Sequence, residues 1–488
     1  MKKNIIDTVR GYFSPKYAYQ ASLFRNASKI FGSSDIYDGA TQGNHYANSK
    51  GTTPNEDTYE LETLRDNSRN LYKNNGFIEG LINSATDHVI GDGLESKSTI
   101  NRNLLNISDE RAVEIESILD GYFKSWAEST IADTTGKDNF YLMQRLIYET
   151  YLIDGDCFAT LPLRSINQSN KILQLDLVGS EDVDSRSTEF IEGIKVSKNK
   201  MPLEYSIIQS DGSHKTFKAF KGGKRNVLHL FKRKRIKTVR GIPFATSIMK
   251  DAVYISNYMS HELAAAKLSA IFFATIKSPT TGGMAGALGK GEVDVLTGKQ
   301  KQTKENTVLE NAITELSPGA ELDVHPAGRD NPNIEQFVMT CLKKFSSAKR
   351  IPLEIILGQF VSSYSASRAA MISMQKFVNP ERALFINSIC NPIRNQVLTW
   401  AMLQGELNIP EFWENRTEIL KCRWIGDPVM SVDPVKDAKA KILMIDNHLL
   451  DYEKATLDLG NGDFTVNVNN LKKQKALLGD LIKEEEIL

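Results

Sequence analysis

Residues 351–377, IPLEIILGQFVSSYSASRAAMISMQKF, join two helical patterns through a short segment of small hydroxyl residues around one tyrosine. Pro352 stands where the first helix begins, and Gly358 stands where it ends, because glycine tolerates the positive φ that closes a helix. A new helix is predicted to begin near Ser365. The segment between the helices offers hydroxyls, one aromatic ring and no charge: Val361, Ser362, Ser363, Tyr364 and Ser365. It predicts a loop that touches a partner weakly and performs no catalysis.

Helical periodicity also dominates residues 59–153. Apolar residues recur at three- and four-residue steps until Asn74-Asn75-Gly76 interrupts them, and a second helix then follows to about Val89. Ser108 is predicted to cap a third long helix, and residues 140–153 to form another. Between 156 and 231 the pattern changes to short strands, at 157–163, 172–178 and 205–208, separated by turn signals. This order predicts an α+β chain in which a β-rich unit packs on helices.

A second pair of long helices is predicted at 244–270 and from Asn333 onward, joined by a glycine-rich excursion. After the serine-rich segment, residues 367–403 form one long helical pattern in which Pro380 and Pro392 predict kinks or breaks. Three tryptophans that follow are expected to be core aromatics holding this helix to the β-rich unit: Trp400, Trp413 and Trp424. Short helices are predicted beyond residue 433.

Charge is balanced overall, with 60 basic and 60 acidic side chains, but not locally. Residues 212–250 contain 12 Lys or Arg and no Asp or Glu. The centre of this basic stripe is Lys232, Arg233, Lys234, Arg235 and Lys237. One interpretation is a surface that faces DNA or a partner. The favoured alternative is a solvated edge strand, or ion pairing with a neighbouring subunit, because acidic residues are plentiful elsewhere.

Bulk properties favour a globular chain of several structural units. Its 488 residues are 41% hydrophobic and 25% charged, which argues against disorder and against a membrane protein. The longest uncharged apolar run, residues 268–276, is too short for a bilayer span, and no secretion signal is recognised, so an intracellular setting is expected. The cysteines are widely separated and predict buried free thiols: Cys157, Cys341, Cys390 and Cys422.

Motifs for catalysis are incomplete. A glycine-rich stretch before Lys290 lacks the first glycine and the hydroxyl residue of a phosphate loop, since Met284 and Gly291 occupy those positions. His261-Glu262 lacks the second histidine of a zinc protease, because Ala265 stands there. Two carboxylate pairs remain that could hold a metal for phosphodiester cleavage, although such pairs are more often solvated loop residues: Asp154 with Asp156, and Asp182 with Asp184. No cofactor or metal site is predicted.

Four stretches together resemble the lambda-type family of tailed-phage portal proteins. They are, in the family's order, residues 64–94 (LRDNSRNLYKNNGFIEGLINSATDHVIGDGL), 229–249 (HLFKRKRIKTVRGIPFATSIM), the YSASRAA segment beginning at Tyr364, and 422–440 (CRWIGDPVMSVDPVKDAKA). The resemblance implies a portal-type α+β fold with named parts. The expected parts are an N-terminal arm and linker at 1–58, a wing at 59–243, a stem helix at 244–277, a clip at 278–332, a second stem helix and turn at 333–358, a tunnel loop at 359–366, a long kinked helix returning to the wing at 367–432, and a helical crown at 433–488.

The resemblance also implies the function of a structural, non-enzymatic portal. Such a protein forms a homo-oligomeric ring, typically of twelve copies, at one capsid vertex of the virion, assembled in the host cytoplasm, and is a channel for packaging and ejection of double-stranded DNA. Its expected partners are the terminase large subunit, the major capsid or scaffold protein, and head-completion and tail-connector proteins. The tunnel-loop residues Val361 to Ser365 would face DNA, and Arg368 would contact DNA or cap a neighbouring helix. The alternatives are a metal-dependent DNA-processing enzyme and a monomeric DNA-binding adaptor that uses the basic stripe.

Overall fold

The computed structural model describes residues 61–165, 171–185, 187, 189–209, 211–271, 274–277, 321–324, 333–360, 363–427, 433–460, 462 and 464–485. The predicted N-terminal arm and most of the predicted clip lie outside these residues. Helices and strands are both abundant in the described parts, so the predicted α+β class is confirmed.

The first part is a layer of helices: α1 Leu61–Asn74, α2 Gly76–Val89, α3 Arg102–Leu105, α4 Asp109–Glu128 and α5 Phe140–Asp154. Local chemistry sets their ends as predicted. Asn75 separates α1 from α2 because its side chain accepts from the amides of Phe77 and Ile78 and so caps α2. Ser108 caps α4 by accepting from the amide of Arg111 at 3.2 Å.

The β-rich unit that follows confirms the predicted change of pattern. A separate strand, β1 Glu95–Ser98, lies between α2 and α3. The strands of the β-rich unit are β2 Asp156–Thr160, β3 Leu163–Ser165, β4 Lys171–Leu173, β5 Asp176–Val178, β6 Phe190–Ile191, β7 Ile194–Val196, β8 Pro202–Ile208, β9 His214–Lys218, β10 Phe220–Lys221, β11 Lys224–Arg225 and β12 Val227–Phe231. The buried strand β2 is central in the antiparallel sheet β12-β2-β5, and β6-β7-β8-β9 form an antiparallel meander. This arrangement places β2 directly after α5, within the main core.

The two long helices are α6 Met249–Ile271 and α7 Asn333–Lys349, with β13 Ala274–Lys277 paired antiparallel to β14 Glu321–Val324 where the chain leaves and returns. The predicted single helix at 244–270 begins instead with a separate 3₁₀ turn, Phe244–Ser247, after Pro243. The base of α6 is buried, since Ala252 and Ile255 are 0% exposed. Further along the same predicted apolar stripe, Met259 and Leu263 are 47% and 58% exposed. The helix therefore leaves the core midway.

A short helix, α8 Leu353–Leu357, leads to α9 Tyr364–Phe385 and α10 Asn391–Gln404. Of the kink or break predicted at Pro380, the break does not occur: α9 continues through the proline, and both Pro380 and Lys376 are exposed, so water can solvate the carbonyl that the proline leaves unbonded. Before Pro392 the helix widens into a π-helical turn, Ile386–Cys390, in which the amide of Asn391 bonds the carbonyl of Ile386. This wider turn accommodates the proline that an unbroken α-helix would not.

The tryptophan prediction is right for two residues and wrong for one. Trp400 is half-buried and donates from Nε1 to the carbonyl of Lys171 in β4 at 2.7 Å, which joins α10 to the β-rich unit. Trp424 is half-buried against Phe123 and Phe140. Trp413 is 55% exposed, because it follows a short 3₁₀ turn whose inward side chain is Phe412. Tryptophan spacing alone did not reveal which ring the turn directs inward.

The remaining described elements are α11 Arg416–Ile419, β15 Cys422–Ile425, which pairs antiparallel with β1, and the three C-terminal helices α12 Pro434–Asp446, α13 Tyr452–Asp458 and α14 Phe464–Glu485. Three C-terminal helices are thus present as predicted, but the last one, α14, has 22 residues and is long rather than short. Across the described helices, no stretch is long and apolar enough to cross a membrane.

Candidate nucleic-acid interface

The predicted tunnel loop is shorter than the sequence indicated. The turn after α8 is closed by Gly358 at φ +63°, as predicted, and its amide bonds the carbonyls of Glu354 and Ile355. Helix α9 begins at Tyr364 with Ser363 at its N-cap, so Tyr364 and Ser365 belong to the first helical turn rather than to the loop. The side chain of Ser363 makes no capping hydrogen bond; its Oγ lies 3.1 Å from Ser365 Oγ, and its carbonyl accepts from the amide of Ser367. Val361 and Ser362 lie outside the described residues.

Arg368 sits one turn into α9 and contacts another helix of the same chain. Its guanidinium lies 3.3 Å from Asp437 Oδ1 of α12, and its side chain is 52% exposed. This ion pair joins the predicted long helix to the predicted crown. An exposed pair of this kind contributes at most about 1 kcal/mol. Arg368 thus has an intramolecular acidic partner as well as solvent access.

The basic stripe forms an exposed loop after β12. Lys232 pairs with the buried carboxylate of Glu381 on α9, so this lysine is committed within the chain. Arg233, Lys234 and Lys237 are exposed and Arg235 is half-buried. Ile236, which they flank, is 86% exposed. Lys237 adopts a left-handed backbone at φ +67°, which turns the chain back toward the core. The centre of the stripe is therefore a projecting loop, whereas Lys215 and Lys218 lie on β9, an edge strand of the meander, as the edge-strand alternative predicts.

Arg240, at the end of the basic stripe, points inward instead. Its Nε donates to Asp156 Oδ2 at 2.5 Å, and both side chains are 0% exposed. Arg65 from α1 adds a second contact, 3.2 Å from Asp156 Oδ1, and Ser180 donates to the same oxygen at 2.7 Å. Burial alone would raise the pKa of Asp156, but Arg240, His229 and Arg65 outweigh it and hold that pKa well below its usual range.

His229 is stacked beside this carboxylate. Its ring lies between Phe158 and Phe231, with both centroid distances 4.2 Å, and its Nε2 is 3.5 Å from Asp156 Oδ2, beyond good hydrogen-bond length. Burial lowers the pKa of His229, although the neighbouring carboxylate opposes the effect. The imidazole is therefore uncharged at neutral pH. The negative charge of Asp156 is balanced mainly by Arg240 and Arg65.

Two of the four carboxylates of the metal-dependent alternative, Asp154 and Asp156, are paired with arginines. Asp154 receives a bidentate pair of hydrogen bonds from Arg69, each 2.7 Å, and Arg69 also reaches Glu181 at 2.5 Å. Asp156 is enclosed as described above. Asp182 is half-buried and Asp184 exposed, on the turn before β6. Within the described residues no cluster of three or more potential metal ligands occurs. A metal at Asp154 or Asp156 would have to displace arginines, so the geometry assigns these two residues a structural role.

The remaining residues considered in the sequence are the four cysteines, His261 and the glycine-rich stretch before Lys290. Cys157 and Cys390 are buried, and Cys341 and Cys422 are half-buried; all four are free thiols, and burial raises the pKa of each. His261 is exposed on α6. The glycines of the rejected phosphate-loop pattern lie outside the described residues.

The arginine cluster was missed from sequence, and only a weak signal pointed to it. Arg65 and Arg69 lie in the resembled motif at 64–94, and Arg240 in the one at 229–249. Both motifs contact Asp156, the first residue of β2, and Arg69 of the first motif also pairs with Asp154, the last residue of α5. Asp154 and Asp156, which lie in the otherwise apolar stretch 151–161, were the available sign of buried pairing.

Comparison with known proteins agrees with this organisation. Residues 41–382 match the family described as "Phage portal protein, lambda family". Because this match covers most of the chain, the protein is of the phage portal class. The chain belongs to the lambda family of phage portal proteins. The family resemblance and the structural portal role predicted from the four motifs are confirmed.

Individual relatives are distant in sequence. The chain is 22% identical over 440 residues to "Portal protein B" of Escherichia phage lambda, covering 81% of each chain. It is 21% identical over 457 residues to "Portal protein" of Escherichia phage N15, covering 84% of this chain and 85% of that one. Among solved structures it is similar to a chain in "Neck of empty GTA particle computed with C6 symmetry", with 11% identity, a TM-score of 0.43, and coverage of 82% and 93%. A chain of "Virion of native gene transfer agent (GTA) particle" gives 11% identity, a TM-score of 0.42 and the same coverage.

Proposed function

We propose that the chain assembles into a homo-oligomeric ring, of twelve copies as the family resemblance implies, through which double-stranded DNA enters and leaves the capsid. The observation that carries the proposal is the exposed apolar surface of the two long helices. Met259 and Leu263 on α6 are 47% and 58% exposed, and Phe337 on α7 is 39% exposed, although these positions continue stripes that are buried nearer the core. Copies of the same helices around a ring would cover such a surface.

The described base of this helix pair is well fixed, which supports its use as a building element. Lys344 of α7 lies 2.8 Å from Asp251 of α6, and the rings of Tyr258 and Phe337 are 4.7 Å apart. Asn75, between α1 and α2, donates to Ser256 Oγ of α6 at 2.8 Å. The two helices thus leave the core as one antiparallel unit, and we assign them the role of the stem.

The segment 361–365, whose last two residues begin α9, is proposed to face the DNA. Its residues carry hydroxyls and one aromatic ring but no cation, so contacts with phosphates would be weak and replaceable. Tight binding would stall DNA that has to move. Arg368, paired with Asp437, is available to strengthen such contacts only where that pair opens. Energy for DNA movement would come from ATP hydrolysis by a separate packaging motor, the terminase large subunit.

We propose further that residues 278–332 form the clip and dock the terminase during packaging and head-completion or tail-connector proteins afterwards. The strand pair β13–β14 closes the base of this excursion, with Ala274 opposite Val324. The wing and crown would contact the capsid or scaffold protein, so that the finished ring resides in the virion after assembly in the host cytoplasm. No enzymatic step of its own is assigned to the chain.

Native mass and negative-stain images of the purified chain test the assembly. Rings with a central hole are expected, whereas a stable monomer at high concentration would contradict the proposal and favour the DNA-binding adaptor. Replacement of residues 361–365 by Gly-Ser repeats tests the DNA-facing role. The variant is expected to form rings of unchanged mass and to fail in DNA packaging or retention; loss of ring assembly would instead make the segment structural.

A further inference from the structure

A cavity of about 320 Å³ lies at the foot of the long helices, where α7, α9, the 3₁₀ turn at 244–247 and the basic loop after β12 meet. Five cationic side chains line it: Lys232, Lys234, Lys349, Arg350 and Lys376. The cavity also contains one carboxylate, that of Glu381, which is bonded to Lys232 and to the hydroxyl of Tyr151. Its volume is at the small end of the range typical of ligand sites, roughly 300–1,000 Å³. The lining thus carries an excess of positive charge.

Lys349 is the innermost of these cations. It is 8% exposed, and its ammonium donates to the carbonyl of Phe244 and, at 2.7 Å, to Ser247 Oγ. It also lies 4.9 Å from the centroid of the Phe244 ring. These acceptors are neutral. Burial, and secondarily the charge of Lys234, lower the pKa of Lys349 to about 8. A buried ammonium in such surroundings is costly unless an anion joins it.

The other cations come from different elements and converge on the same space. Lys234 belongs to the basic loop, Arg350 follows α7 with a left-handed backbone at φ +60°, and Lys376 lies on the exposed side of α9. Lysine ammoniums and an arginine fork together suit an anion with several acceptor oxygens. The chemistry of the lining therefore favours a phosphate group over a halide.

We propose that this cavity binds an anion of the phosphate class, with Lys349 as the inner ligand and Lys234, Arg350 and Lys376 as outer ligands. The phosphate group would be either a free inorganic anion or part of a nucleic-acid backbone. The site is formed within one chain, so it is present in a monomer as well as in a ring. Its existence does not depend on the proposed channel function.

Thermal unfolding and calorimetric titration of the full chain test the site, with inorganic phosphate and pyrophosphate as probes at constant ionic strength set by chloride. Both anions are expected to raise the melting temperature. Lys349→Met is expected to weaken their binding about tenfold or more, the loss of one charge-assisted contact. Lys250→Met, which removes an exposed lysine of α6 outside the cavity, should leave binding unchanged. If Lys349→Met does not fold, Arg350→Met/Lys376→Met alters only exposed ligands and should show the same loss.

A second arm identifies the source of the phosphate. Fluorescence anisotropy with a short DNA duplex is run on the same variants. Duplex binding weakened by Lys349→Met but not by Lys250→Met would assign the site to a nucleic-acid backbone, whereas unchanged duplex binding with lost phosphate binding would assign it to a free anion. Phosphate and duplex binding that are both unaffected would overturn the proposal. A simultaneous fall in oligomer mass would then show that the cavity accepts a carboxylate from a second copy.

Discussion

The guanidinium of Arg240 and the carboxylate of Asp156 meet at 2.5 Å between Nε and Oδ2, and neither side chain reaches solvent. The two residues are 84 positions apart in sequence. Arg240 also donates to the carbonyls of Ser180, Val183 and Glu192. One arginine thereby fixes the segment before the 3₁₀ turn to β2 and to the turn preceding the β6–β9 meander.

Removal of Asp156 should be severely destabilising. Asp156→Ala leaves Arg240 and Arg65 buried without their carboxylate, which typically costs about 3–5 kcal/mol of the free energy of unfolding. Urea unfolding of the purified chain measures the loss. Asp87→Ala is the matched control, because it removes the partly exposed pair with Arg145 and should cost less than about 1 kcal/mol. Equal stability of the two variants would contradict a structural role for Asp156.

Acidification should destabilise the protein through His229 before the carboxylates titrate. Its pKa is lowered by burial from the ordinary value of 6.5, so below pH 6.5 the unfolded chain binds a proton that the folded chain does not. Stability therefore falls as the pH drops from 6.5 toward the folded pKa. His229→Phe, which preserves the stack with Phe158 and Phe231, should flatten this part of the profile. Unfolding free energies measured between about pH 5 and about pH 7.5, a range that brackets the ordinary pKa of histidine, test this pH dependence. The exposed-site variant His261→Gln should keep the wild-type slope.

Gly241 should tolerate no side chain. A Cβ at this position would lie 1.8 Å from the carbonyl oxygen of Gly155, which is backbone and cannot move aside alone. Gly241→Ala should therefore destabilise the chain by about 3 kcal/mol or more, or prevent its soluble expression. Gly121→Ala in the middle of α4 meets nothing within 4 Å and should instead stabilise by about 0.5–1 kcal/mol. Thermal melts of the two variants compare them, and a neutral Gly241→Ala would show that the α5–β2 corner is not rigid.

The exposed stripe of α6 should be required for assembly and not for folding. Met259→Asp/Leu263→Asp puts charges where we expect neighbouring copies to pack, so sedimentation should give monomers with wild-type circular dichroism. Met259→Leu/Leu263→Met conserves apolar volume and should still form rings. Rings formed by the aspartate variant would place the subunit interface elsewhere.

Sequence reasoning was most successful where local chemistry decides the structure. The cap at Ser108, the interruption at Asn75 and the helix end at Gly358 each depend on one residue and its immediate neighbours, and each was found. The family was equally visible, because four motifs occur in a fixed order. The start of α9 lies one residue before the predicted one.

Long-range partners could not be predicted in the same way. Asp156 was considered as a possible metal ligand because nothing near it in sequence identifies Arg240 as its partner. Trp413 was expected in the core because hydrophobicity does not specify which side of a turn faces inward. The sequence predicted the basic stripe as one continuous feature, but its residues have different environments. Arg240 is buried, Lys232 pairs with Glu381, and Arg233 is exposed. The DNA-facing assignment of residues 361–365 and Arg368 stays a prediction.

The π-helical turn at Ile386–Cys390 limits the insertions and deletions that the chain can accept. One extra residue in a helical turn rotates everything beyond it by about 100° around the axis. The buried face of α10 includes Ile393, Val397 and Ala401. This face points toward the core only because the π-helical turn contains one extra residue. Deleting one residue from the turn would move this apolar face toward solvent along the whole length of α10. The spacing between Pro380 and Pro392 is thus a fixed length in this chain.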